Sequence, residues 1–92
     1  MSALVERIEI ANKRGLHARA SAKFVGMVAA LPDGIRVTVR KDGVEAEGGS
    51  ILGLMMLGAA KGDMIEIEVC GDGADAALAT LTTLVRGRFG EE

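Results

Sequence analysis

The chain has 92 residues, enough for one domain with one modest core. Hydrophobic residues make up 49% of it, yet Trp and Tyr are absent and Phe occurs twice, so that core is aliphatic. Eleven basic against thirteen acidic residues leave a net charge of -2, which argues against nucleic acid as a partner, while a single cysteine and a single histidine exclude an internal disulfide and a Cys/His metal cluster.

Taken in chain order, Leu4 to Ile10 alternates apolar and polar positions with one flaw, Glu6, which is expected at an edge or end of the sheet. The polar break Asn12-Lys13-Arg14-Gly15 leads into a helix from Ala18 to Leu31, where Phe24, Val25, Val28 and Leu31 recur at helical spacing before the turn Pro32-Asp33-Gly34. Ile35, Val37 and Val39 alternate with polar residues, and Asp42-Gly43 turns the chain into a short antiparallel partner strand with Val44 and Ala46. Gly48-Gly49-Ser50 then opens an apolar run too rich in Leu and Met for a strand, read as a short helix from Ile51 to Leu57 with Leu54 and Leu57 facing inward. Met64 to Val69 is a strand with Ile65, Ile67 and Val69 on one face. Ala74, Ala77, Leu78, Leu81, Leu84 and Val85 trace one face of a last helix, with Asp72 and Asp75 read as capping its start. The order β-α-β-β-α-β-α closes most simply as an α+β fold, a layer of helices over one face of an antiparallel sheet. Cys70 is expected as a small, buried or half-buried hydrophobe. The opening MSALVERIEI has neither the basic start nor the long apolar run of a signal peptide, and no stretch reaches membrane-spanning length, so a cytoplasmic protein without membrane insertion is expected.

The only histidine, His17, stands two residues after Gly15 and two before Arg19. A glycine there permits a positive φ and a sharp turn that presents the imidazole at a helix start. The first N–H groups of a helix lack partners and carry the positive end of its dipole, so the position suits an anion and favours a neutral, nucleophilic ring. Arg19 adds a fork of donors for phosphate oxygens. With no general-base pair and no phosphate-binding glycine loop in view, the pattern fits a residue that carries a phosphoryl group better than one that transfers it unaided. A non-covalent anion-binding or regulatory α+β module fits the same residues and stays open on this reading.

Gly15-Leu16-His17-Ala18-Arg19 resembles the active-site signature of the HPr family, the histidine phosphocarriers of the bacterial phosphoenolpyruvate-dependent phosphotransferase system, and Ser50-Ile51-Leu52-Gly53-Leu54-Met55-Met56-Leu57 resembles its second signature. The resemblance covers nearly the whole chain. It implies an open-faced β-sandwich, a four-stranded antiparallel sheet covered on one face by three helices. It also implies that His17 accepts a phosphoryl group from phospho-Enzyme I and passes it to IIA proteins, with Arg19 as the catalytic cation and Gly15 and Ala18 in the phosphate cradle. Ser50 would be the regulatory site of the HPr kinase/phosphorylase, although its place before an apolar run equally fits an N-cap. Ala20, Lys23, Ile51, Leu52 and Met55 would form the partner-docking surface, with Ala20 standing where the family usually has proline. The resemblance implies no metal or cofactor, and a monomer. "NKRGLHARAS", "MMLGAAKGDMIEIEV" and "VRGRFGEE" look closer to the nitrogen-related branch, NPr, and to alphaproteobacterial HPr proteins, which implies nitrogen-type or mannose-type IIA partners.

Overall fold

Met64–Cys70 alternates more cleanly than any other segment, and in the computed structural model, which describes residues 3–91, it is the strand around which the sheet is organised. The elements are β1 (Leu4–Glu9), α1 (Ala18–Ala29), β2 (Arg36–Lys41), β3 (Val44–Glu47), α2 (Ile51–Met56), β4 (Met64–Cys70) and α3 (Ala74–Arg86), followed by a single 3-10 turn at Arg88–Gly90. The sheet order is β1-β4-β2-β3 and every pairing is antiparallel. This is the expected α+β arrangement of four strands and three helices.

Register follows from burial. Ile8 lies opposite Ile65, Val39 opposite Ile67 and Val37 opposite Val69, and all six are buried. A one-residue slip would turn this face to water and bring the intervening charges inward. Those charges occupy the open face, where Arg40 pairs with Glu68, with Glu45 at 2.9 Å and with Glu66 at 3.7 Å. The covered face packs beneath the helices: α3 lies on β1 and β4, α2 on β3, and α1 against α2 and α3. Phe24, Leu54, Leu81, Val85 and Phe89 join the sheet residues in one core.

Glu6 sits on the edge strand β1 and pairs with Arg86 from α3, so its position on the inward-reading register costs no buried, unpaired charge. Cys70 is half-buried, as expected. The expected cap at Asp72 is corrected: Gly73 stands at the start of α3 with φ 86, no side chain caps the helix, and Asp75 lies in its first turn. α1 ends at Ala29, two residues short of Leu31. Among the described residues, no helix is long and apolar enough to cross a membrane.

Candidate functional site

Gly15 decides how the chain enters α1. Its φ is +63°, and a Cβ there would lie 2.2 Å from the carbonyl oxygen of Ala59. Only glycine allows this approach, which the Leu16 N–H completes by donating to the same oxygen at 2.9 Å. The next residue, His17, becomes the N-cap of α1 with extended backbone (φ -73, ψ 179), and its carbonyl accepts the first helical bond from Ser21 N–H at 2.9 Å. The His17 side chain makes no cap bond and the first turn holds no acidic residue. Three N–H groups, of Ala18, Arg19 and Ala20, therefore point out of the helix start without partners among the described residues.

Ala18 and Arg19 are exposed, and the Arg19 guanidinium makes no ion pair among the described residues. Ala20 corrects an expectation: its side chain is completely buried (0%) in the core under α1, so it cannot form part of a docking surface. The residue after Arg19 on a helix that packs by one stripe falls on the inner face, which is why a small apolar side chain fits there. Lys23 is exposed, and its ammonium donates to the carbonyl of Phe89 at 2.6 Å.

The strand-to-helix corner is closed by a segment far away in sequence. After α3 the chain folds back, Phe89 enters the core at 1% exposure, and Glu91 reaches His17. Arg88 and Phe89 adopt left-handed backbone, φ 58 and 54, a conformation that costs about 1–2 kcal/mol for each non-glycine residue. Burying a Phe side chain is worth about 1.5–3 kcal/mol and the Lys23 bond about 1 kcal/mol, which together offset that cost. His17 Nε2 lies 2.9 Å from both Glu91 carboxylate oxygens. Asn12, fully buried at 0%, donates from Nδ2 to the Gly15 carbonyl at 2.8 Å and to Glu91 Oε1 at 2.9 Å. The Asn12 bond above all, then the His17 bond and charge, with Lys23 adding attraction, hold the Glu91 carboxyl below the usual carboxylate range. An ionised carboxylate only accepts, so Nε2 is the nitrogen that carries the proton, and no protein group bonds Nδ1 among the described residues.

Ser50 is the N-cap of α2, its hydroxyl oxygen accepting from Gly53 N–H at 2.9 Å. Leu54 and Leu57 are buried as expected, at 1% and 7%, while Ile51, Leu52 and Met55 are exposed at 41%, 67% and 40%. Met56, which periodicity left unplaced, is the most exposed of the run at 74%. α2 packs on α1.

Asn12, Phe89 and Glu91 escaped the sequence reading. The partners Asn12 and Glu91 are 79 positions apart, and the pair Glu91-Glu92 has no local pattern that distinguishes either carboxylate from solvated charge. The one available signal was Phe89, one of two aromatic residues, standing beyond the last helical stripe where a large apolar residue must find something to bury it.

Residues 4–87 match the family model PTS-HPr, described as "PTS HPr component phosphorylation site". The chain is 48% identical over 88 residues to the phosphocarrier protein HPr of Neisseria meningitidis serogroup B, covering 96% of this chain and 97% of that protein. It is 43% identical over 84 residues to the HPr of Pseudomonas aeruginosa (91% and 92% covered), and 38% identical over 88 residues to the phosphocarrier protein NPr of Escherichia coli K12 (95% and 96%). Among solved structures, an HPr from Thermoanaerobacter tengcongensis superposes with a TM-score of 0.86 at 36% identity, covering 100% of this chain and 99% of that one. A phosphocarrier protein HPr from Bacillus anthracis superposes at 0.85 with 32% identity, covering 92% and 99%. Relatives named HPr and NPr both match along nearly their full lengths, so overall likeness does not separate the two branches.

Proposed function

Because the chain belongs to the HPr family of phosphotransferase-system phosphocarriers, we propose that it is a single phosphocarrier domain of the cytoplasm in which His17 Nδ1 accepts a phosphoryl group from phospho-Enzyme I and delivers it to IIA proteins, of nitrogen type or mannose type. The observation that supports this reading most is the His17 ring itself, with Nε2 engaged by Glu91 and Nδ1 without a partner among the described residues, at an uncapped helix start. In the accepting step the lone pair on Nδ1 forms the N–P bond, the bond from phosphorus to the donor histidine nitrogen breaks, and that nitrogen leaves with the electron pair. The proton on Nε2 stays in place, and the Glu91 carboxylate lies where positive charge develops on the ring. The free N–H groups of the first turn and the Arg19 guanidinium receive the phosphoryl oxygens, with Gly15 and Ala18 giving backbone access. Delivery runs the same bonds in reverse toward a nucleophile on the IIA protein. Among the described residues no base is aimed at Nδ1, and none is needed, since each partner brings the second reacting nitrogen and excludes water. It is therefore a carrier component rather than a self-sufficient enzyme.

Ile51, Leu52 and Met55 supply an exposed apolar docking patch on α2, adaptable through Met and extended by Met56, with Lys23 and Arg19 as its cationic border. Ser50 at the head of this helix is the regulatory phosphorylation site in the same reading, a substrate for an HPr kinase/phosphorylase. Its cap role and that role are compatible: a phosphate at a helix N-terminus is tolerated by the helix, but about two added negative charges beside the patch oppose docking of acidic partners.

Incubation with radiolabelled phosphoenolpyruvate and Enzyme I tests the carrier reading. Acid-labile, alkali-stable label on wild type and none on His17→Ala is the expected result; no label on wild type leaves an anion-binding module without covalent chemistry. ATP with the kinase should label wild type and not Ser50→Ala, and equal labelling of both removes Ser50 from the scheme.

A further inference from the structure

Among the described residues, Asn12 is the one buried polar side chain whose hydrogen bonding is incomplete. Nδ2 is fully used, on Gly15 and Glu91, while Oδ1 is buried with no partner among the described residues. A buried amide kept only for structure would be expected to satisfy both ends, because an orphaned acceptor destabilises the fold. The amide cannot be turned over to repair this, since both groups facing Nδ2 are acceptors. The orphan oxygen thus marks a residue whose donors are what the site uses. One of those donors holds the loop carbonyl at Gly15, two residues before the histidine; the other holds the carboxylate that faces the histidine ring.

We propose that Asn12, acting through Glu91, is a positioning residue that holds His17 in its Nε2–H tautomer and thereby leaves Nδ1 as the ring's nucleophile. Neutral imidazole exists as two tautomers, and which nitrogen keeps its lone pair is set by the bond the other makes. Buried Asn12 donates to one Glu91 oxygen, and the carboxylate so held presents both oxygens to Nε2 at 2.9 Å. The arrangement also explains why Phe89 is driven into the core through a left-handed backbone, because that turn is what brings Glu91 back over His17. This inference rests on the phosphocarrier reading for its consequence, but the tautomer itself is independent of any transfer.

The experiment is nitrogen NMR of the His17 ring at neutral pH, read alongside the initial rate of phosphoryl acceptance from Enzyme I. Wild type should show Nε2 protonated and Nδ1 bare. Glu91→Ala, at a half-buried position outside the core, should populate both tautomers, shift the Asn12 side-chain amide resonances, and lower the acceptance rate by a factor of about two to ten, in line with the lost fraction of productive rings. Glu91→Gln, whose amide oxygen still accepts from Nε2, should restore the wild-type tautomer. Asn12→Ala, if folded, should match Glu91→Ala, with the double variant no worse than either single one. A wild-type ring protonated on Nδ1, or an unchanged tautomer in Glu91→Ala, overturns the proposal. An Asn12 amide that ignores Glu91→Ala removes Asn12 from it. A wild type that shows the expected tautomer yet takes no label refutes the carrier reading and leaves the positioning role standing.

Discussion

The starts of α1 and α2 both have an extended N-cap residue, and they differ in what its side chain does. At α2, Ser50 turns its hydroxyl onto Gly53 N–H, closing the first turn with its own side chain. At α1, the N-cap residue His17 turns away from the turn behind it, toward Glu91, and three N–H groups are left open beside Arg19. A helix start is an anion site by default, and what removes that property is a capping oxygen. The difference between a closed and an open helix start is therefore one side-chain choice at one position, with the stability given up at α1 being of the order of 1 kcal/mol.

Exchanging that choice should have the largest effect. His17→Asn supplies a preferred capping oxygen, so phosphoryl acceptance should vanish while thermal unfolding shows stability unchanged or higher by up to about 1 kcal/mol. A marked loss of stability would mean that the contact from His17 to Glu91, rather than the open turn, dominates the energetics of this corner. Gly15→Ala attacks the approach to α1 instead. The left-handed φ alone costs about 1–2 kcal/mol and the contact with the Ala59 carbonyl adds to it, so denaturant unfolding should show a loss of about 2 kcal/mol or more, with labelling of His17 slowed. Ser50→Ala opens α2 as α1 is open, and should lower stability by about 1 kcal/mol with phosphoryl acceptance by His17 nearly unchanged; Ser50→Gly should lose only a few tenths.

The smallest effect should come from acid. Glu91 has its carboxyl lowered in the folded chain, so its stabilising contribution is complete above the ordinary carboxylate range and is lost as pH falls through the lowered folded value. Protection factors at residues 87 to 91, that is, exchange corrected for its intrinsic pH dependence, should fall as pH drops through that window in wild type and stay level in Glu91→Gln. If α2 and the 87–91 segment loosen together, the two helix starts are less independent than their separate caps imply.

Much of the fold was legible because its signals are local. Period-2 alternation located β2 and β4, Asp42-Gly43 located the hairpin, and the Leu54 and Leu57 spacing separated the inner from the outer face of α2. Ala20 shows where such reading stops: a motif position says what neighbours it in sequence, whereas its burial depends on which face of α1 meets the core. The histidine was legible for the same local reason, a glycine, an imidazole and an arginine at fixed offsets before a helix.

By itself, then, the sequence determined the order of elements and the placing of a lone imidazole, between a glycine and an arginine, at the start of a helix, since each follows from backbone preferences acting over a few residues. Which ring nitrogen is free was decided only by the tertiary structure. That depends on Asn12 and Glu91 meeting across 79 positions, through a Phe89 that packs into a core no local pattern describes.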